Sequence, residues 1–110
     1  MSAPETTAKQ ANMLLAIEYN RLRRAAADEA NLAVEAERRR RPYKYWPSRM
    51  NQKAIDHLND VFRAAWPAAI ETRFAQLDRI NRKLTRSDPE WAPKTPEQIR
   101  EAPVLLWRGQ

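Results

Sequence analysis

The chain contains no cysteine, so disulfides and thiolate metal sites are excluded and the redox compartment stays open. Its single glycine is Gly109, which removes every phosphate-cradling glycine loop from consideration. Prolines are sparse over most of the length: between Glu5 and Arg86 there are only Pro42, Pro47 and Pro67. Sheet proteins need turn residues every ten or so positions, and these are missing. His57 is the one histidine, leaving a single candidate base and no nucleophile context for a Ser-His-Asp or Cys-His arrangement. No apolar run approaches the roughly 20 residues of a membrane span. The opening MSAPETTAKQ lacks the basic and apolar regions of a signal peptide. These absences lead to the expectation of a protein that is neither secreted nor membrane-spanning, placed in the cytoplasm or within a larger particle.

What is abundant is alanine, arginine, glutamate, glutamine and leucine, the residues that lose least on entering a helix. With 110 residues the chain is one domain at most. The expected fold class is all-α: an antiparallel hairpin of two long helices over residues 1–86, followed by a proline-rich tail over 87–110.

Thr7 with Gln10 three positions later fits a capping box, so the first helix is expected from about 7 to 41. One stripe runs Ala8, Leu15, Tyr19, Leu22, Ala26, Ala33 and Ala36, with Glu29 on the same face. Leu14, Ile17, Leu32 and Val34 are expected to widen it. Pro42 stops this helix and Pro47 stiffens the connection. Ser48 or Asn51 can cap a second helix over about 49–85, kinked near Pro67, because its apolar stripe changes phase around Trp66 and Pro67. Ile55, Leu58, Phe62, Ala65 and Ala69 line its first half; Ile70, Phe74, Leu77 and Leu84 line its second, with Asn81 where a further apolar residue would fit. Beyond Arg86, Pro89, Pro93, Pro96 and Pro103 forbid a continuous helix. Thr95, Pro96 and Gln98 form a local start signal for a short helix over about 96–102.

The net charge of +6 is unevenly placed. From Arg38 to Lys53 there are seven basic residues and no acidic one: Arg38, Arg39, Arg40, Arg41, Lys44, Arg49 and Lys53. Tyr43, Tyr45 and Trp46 are interleaved with them. Arginine forks grip phosphate, and aromatic rings stack on bases or interdigitate with a protein. A helix C-terminus also favours cations by its dipole, so part of this composition is explained by a helix end at a hairpin corner. The second candidate contact is the tail, where Leu105, Leu106 and Trp107 form an apolar group expected to lie in a groove. Arg73, Arg79, Arg82, Lys83 and Arg86 fall on more than one helical face and read as a solvated surface. His57, with Asp56 and Asp60 beside it, reads as a solvent-side helical residue; structural zinc wants four ligands and no second cluster is visible.

A hairpin lined by alanine covers little, and Phe62, Trp66, Phe74, Leu77, Trp91 and Trp107 exceed what two such stripes bury. The expected function is that of a small, basic, non-enzymatic helical interaction protein. It would be an adaptor, assembly component or inhibitor that docks on a protein partner or self-associates, with no cofactor, metal or small-molecule substrate. Tyr43, Tyr45, Trp46, Leu105, Leu106 and Trp107 are its expected contacts. The alternative is a nucleic-acid-binding accessory protein using phosphate contacts from the Arg38–Lys53 turn. Association with a membrane surface is disfavoured, because no broad apolar face joins a basic one. Arginine outnumbers lysine fifteen to five, a bias that points to a GC-rich bacterial or phage genome.

Overall fold

The computed structural model describes residues 4–40 and 52–103. Three helices follow in order: α1 (Pro4–Arg40), α2 (Gln52–Ser87) and α3 (Pro96–Arg100). The two long helices have 37 and 36 residues, about 55 Å each at 1.5 Å per residue. They account for the 61 Å long axis of a particle only 25 Å by 19 Å across.

α1 begins at Pro4, so Thr7 lies inside its first turn and does not cap it. Proline suits a first helical turn, where its missing N–H has no intrahelical partner to lose. That signal outranks the capping box three residues later. Arg38, Arg39 and Arg40 occupy the last turn. α2 runs unbroken through Pro67, as one helix and not two. Pro67 is exposed, so the carbonyl it leaves without a helical donor can be met by water. One turn later Ala69 and Ile70 are both buried, and the buried stripe shifts phase at that point as the sequence implied. Ser48 and Asn51, the expected caps of α2, lie outside the described residues.

The helices pair antiparallel. Asn12 lies beside Ser87, Glu29 beside Arg73, and Glu37 beside His57. The Asn12–Ser87 clamp is reciprocal: Ser87 Oγ donates to Asn12 Oδ1 at 2.7 Å, and Asn12 Nδ2 donates to the Ser87 carbonyl at 3.2 Å. His57 Nε2 sits 3.0 Å from Glu37 Oε1 across the hairpin. Its acidic neighbour is therefore on the opposite helix, where a single helical face had suggested Asp60.

One continuous core joins Tyr19, Leu22, Ala26, Ala30 and Val34 of α1 to the larger residues Leu58, Phe62, Trp66, Ile70, Leu77 and Leu84 of α2. The small α1 residues let the backbones approach while α2 supplies volume. Phe62 and Trp66 stack with centroids 5.9 Å apart. Two readings of α1 are corrected. Past Ala26 the buried stripe advances in steps of four, through Ala30 and Val34, leaving Ala33 half-buried and Ala36 exposed. Leu14, Ile17 and Leu32 do not widen the buried face; they point to solvent.

The expected shortage of core is also corrected, because residues 88–103 fold back over the hairpin. Asp88 Oδ1 accepts from the Glu90 N–H at 3.0 Å, an Asx turn that reverses the chain. The chain then meets Asn81, which is buried in the apolar stripe of α2. Asn81 accepts from the Trp91 indole and the Lys94 N–H, each at 3.0 Å, and donates to the Lys94 carbonyl at 2.9 Å. α3 carries the expected capping box: Thr95 accepts from the Gln98 N–H, and the Gln98 side chain accepts from the Thr95 N–H. It ends at Arg100, two residues short of expectation, because Ala102 precedes Pro103 and is kept out of the helical region. Ile99 is fully buried, a contribution of about 1.5–3 kcal/mol, and Trp91 packs edge-on to Tyr19 at 5.4 Å. Trp66, Phe62 and Leu77 are thus covered by the chain itself, and Phe74 and Trp91 are partly covered.

Candidate interaction surfaces

Of the residues singled out in the sequence, Arg41, Tyr43, Lys44, Tyr45, Trp46 and Arg49 lie outside the described residues, as do Leu105, Leu106 and Trp107. The described flank of the basic turn comprises Arg38, Arg39, Arg40 and Lys53. Antiparallel pairing brings the α1 end and the α2 start to the same pole, as the expected hairpin implied. Among the described residues, this flank is less positive than its arginines suggest. Arg38 Nη1 lies 3.3 Å from Glu35 Oε1, and Arg40 Nη2 lies 2.8 Å from Glu37 Oε1. The hydrogen bond to Glu37 raises the Arg40 guanidinium above its ordinary value. Glu37, mostly buried and shared between Arg40 and His57, offsets charge at the helix end.

A second basic surface is better separated from acids. Arg79, Arg82, Lys83 and Arg86 share the exposed face of the last two turns of α2, at the i, i+3, i+4, i+7 spacing. Within this group Arg82 is drawn aside, 3.1 Å from Asp78. Arg73 leaves this group. It turns onto the Ala69 carbonyl and toward Glu29, at 2.9 and 3.4 Å.

Two hollows flank the junction of α1 with the returning segment. A polar one of about 290 Å³ is lined by Tyr19, Asn20, Arg23, Lys94, Gln98 and Glu101. Arg23 is committed to the fold here: its guanidinium donates to the carbonyls of Gln98, Ile99 and Glu101 at 3.3, 2.6 and 2.7 Å, and lies 5.5 Å from the Trp66 ring. Burial pushes the Tyr19 phenol up, against a smaller opposing pull from Arg23. The other hollow, about 470 Å³, is more apolar and lies between Ala8, Met13 and Ala16 of α1 and the Ser87–Glu90 turn.

The remaining surface was misread in the sequence. Met13, Leu14, Ile17 and Leu32 are 62%, 67%, 56% and 68% exposed on α1. They lie away from the stripe Tyr19–Leu22–Ala26–Ala30–Val34, which faces the core. The signal that could have found them is a second helical period in the same segment, displaced from the first.

Among the described residues no group of three or more His, Asp or Glu side chains could hold a metal ion, and no helix is long and apolar enough to cross a membrane. No protein-family model, curated protein or solved structure matches the chain.

Proposed function

We propose that this chain is a small, non-enzymatic helical interaction protein, an adaptor, assembly component or inhibitor that offers the outer surface of a rigid hairpin to another protein. The observation that carries this reading is the outward position of Met13, Leu14, Ile17 and Leu32 on a helix that meets the described core through a different face. Single exposed apolar residues are ordinary, but four large ones exposed on one helix are costly to leave in water. The arginine-rich composition is in keeping with an origin in a phage or bacterial assembly. The test is a photo-crosslinking residue at Ile17, compared with one at Ala68 on the exposed side of α2. An adduct with a defined protein from Ile17 alone, lost on Leu14→Glu, is the expected result. A chain that gives no adduct from Ile17, at native abundance in its host, has some other function.

A second reading has its own observation. The shared exposed face of Arg79, Arg82, Lys83 and Arg86, with Arg82 paired to Asp78, offers phosphate contacts a basic track. A nucleic-acid role is therefore tested on two sets of arginines, this one and the Arg38–Lys53 turn. It requires affinity that falls steeply with salt and that drops on neutralising either set. Binding insensitive to both removes it.

A further inference from the structure

We propose that the outward face of α1 is a seam for a second copy of this chain, paired antiparallel about a twofold axis that passes between Arg24 and Ala25. The inference rests on the reading of this face as a contact surface and commits it to one occupant.

Leu14, Ile17, Arg21, Arg24, Asp28 and Leu32 succeed one another at spacings of three and four. That is the narrow stripe of a helix-packing seam, and it lies on the opposite side of α1 from the stripe that builds the hairpin core. Leu14, Ile17, Arg21, Arg24, Asp28 and Leu32 are all exposed. Among the described residues, the returning segment meets α1 on another side, through Tyr19 and Arg23.

The order of residues along the stripe selects the partner. Ile17 and Leu32 share one midpoint, between Arg24 and Ala25, and Arg21 and Asp28 share the same one. A twofold contact is self-complementary, so residue i meets residue j and j meets i. About this axis Ile17 of each copy meets Leu32 of the other, and Arg21 of each meets Asp28 of the other. Arg24 stands within a turn of the same Asp28, and the small Ala25 beside the axis lets the backbones approach. The Arg21 guanidinium is already oriented, with Nε 2.8 Å from Glu18 Oε2. A parallel pair would instead set Arg21 against Arg21 and Asp28 against Asp28, whereas the two Arg24 side chains lie near each other in either arrangement and do not choose between them. The charge order thus rejects the parallel arrangement as well as favouring the antiparallel one. From Leu14 to Leu32 the stripe is about 27 Å long, a contact of the small, transient class, so the dimer is concentration-dependent.

The experiment is sedimentation of the full chain over a concentration series. A monomer–dimer equilibrium is expected for the unmodified protein. Arg21→Glu and Asp28→Arg each place like charges across the seam and weaken self-association by roughly tenfold or more. Mixing the two single variants restores dimers, now as one-to-one heterodimers, because the charges are opposite only in the mixed pair. Far-ultraviolet circular dichroism checks that each variant remains helical. A monomer at every concentration overturns the inference, as does a dimer indifferent to both substitutions or a mixture that stays monomeric. If the chain is monomeric while Ile17 crosslinks to a different protein, the twofold seam falls and the interaction role stands. If it is monomeric and Ile17 crosslinks to nothing, both fall.

Discussion

Replacing Asn81 with leucine tests the account of how residues 88–103 are held. Asn81 looks like an interruption in an apolar stripe, and leucine would fit the stripe by hydrophobicity alone. Three hydrogen bonds argue otherwise, from the Trp91 indole, the Lys94 N–H and to the Lys94 carbonyl, at 3.0, 3.0 and 2.9 Å. At a net worth near 1 kcal/mol each, their loss costs about 3 kcal/mol. Trp91 and Lys94 are half-buried, so water can reach their freed groups and limits any further penalty. For a domain of this size about 3 kcal/mol corresponds to roughly 12–24 °C in melting temperature. The damage should also be local. The returning segment opens first, exposing Ile99, while α1 and α2 stay paired. Hydrogen exchange is the assay: the Ile99 amide, which donates to the Thr95 carbonyl at 3.0 Å, should lose protection before the amides around Leu58 and Phe62. An Asn81→Leu protein that melts like the parent and still protects Ile99 would refute this assignment of Asn81.

Three further outcomes follow from the packing and the ionisable groups. Ala26→Leu forces side-chain volume into a fully buried site on the α1 seam and should destabilise by about 1–3 kcal/mol in urea denaturation. Glu18 and Glu71 are held below the ordinary 4.5 by hydrogen bonds from Arg21 and Arg100, so their folded pKa values are depressed. Their contribution to stability is therefore complete above 4.5 and is lost as pH falls through the lower folded values; Arg100→Gln should make the acid limb of a pH–stability profile shallower. Tyr19 has the reverse sign, since burial raises its phenol above the ordinary 10.0. Its contribution is complete below 10.0 and is lost as pH rises through the folded value, a loss that Tyr19→Phe should remove from the alkaline limb.

The hairpin was legible because the signals that make helices here are additive over long windows: no internal glycine, good helix formers, and Pro42 and Pro47 grouped in one short connection. The capping box of α3 was legible for a different reason, since it is wholly local. The register of the α1 seam was not. Ala25, Ala26, Ala27, Ala30, Ala33 and Ala36 offer several equivalent stripes, and hydrophobicity cannot choose among identical methyl groups. Val34 decides, and it draws Ala30 in with it. Leu14, Ile17 and Leu32 were drawn toward the core by their side chains alone, when their phase belongs to the other side of the helix. Asn81 was visible as an anomaly, but its partners lie ten and thirteen residues away beyond an irregular turn, a distance no periodicity encodes. The apolar surplus that suggested an incomplete core is met in large part by the fold-back of 88–103, whose turn and long-range contacts leave no periodic trace in the sequence.

The manner in which that segment is captured has a consequence for what it can tolerate. Arg23 takes the carbonyls of Gln98, Ile99 and Glu101, and the Trp66 indole takes that of Arg100 at 2.7 Å. Four successive residues are recognised by main chain, much as a groove receives a peptide. Specificity at these four positions is left chiefly to the single buried side chain of Ile99. On the outward side of α3, Gln98 closes the capping box and Arg100 pairs with Glu71 at 3.1 Å, so sequence change there is tolerated where those two contacts are kept.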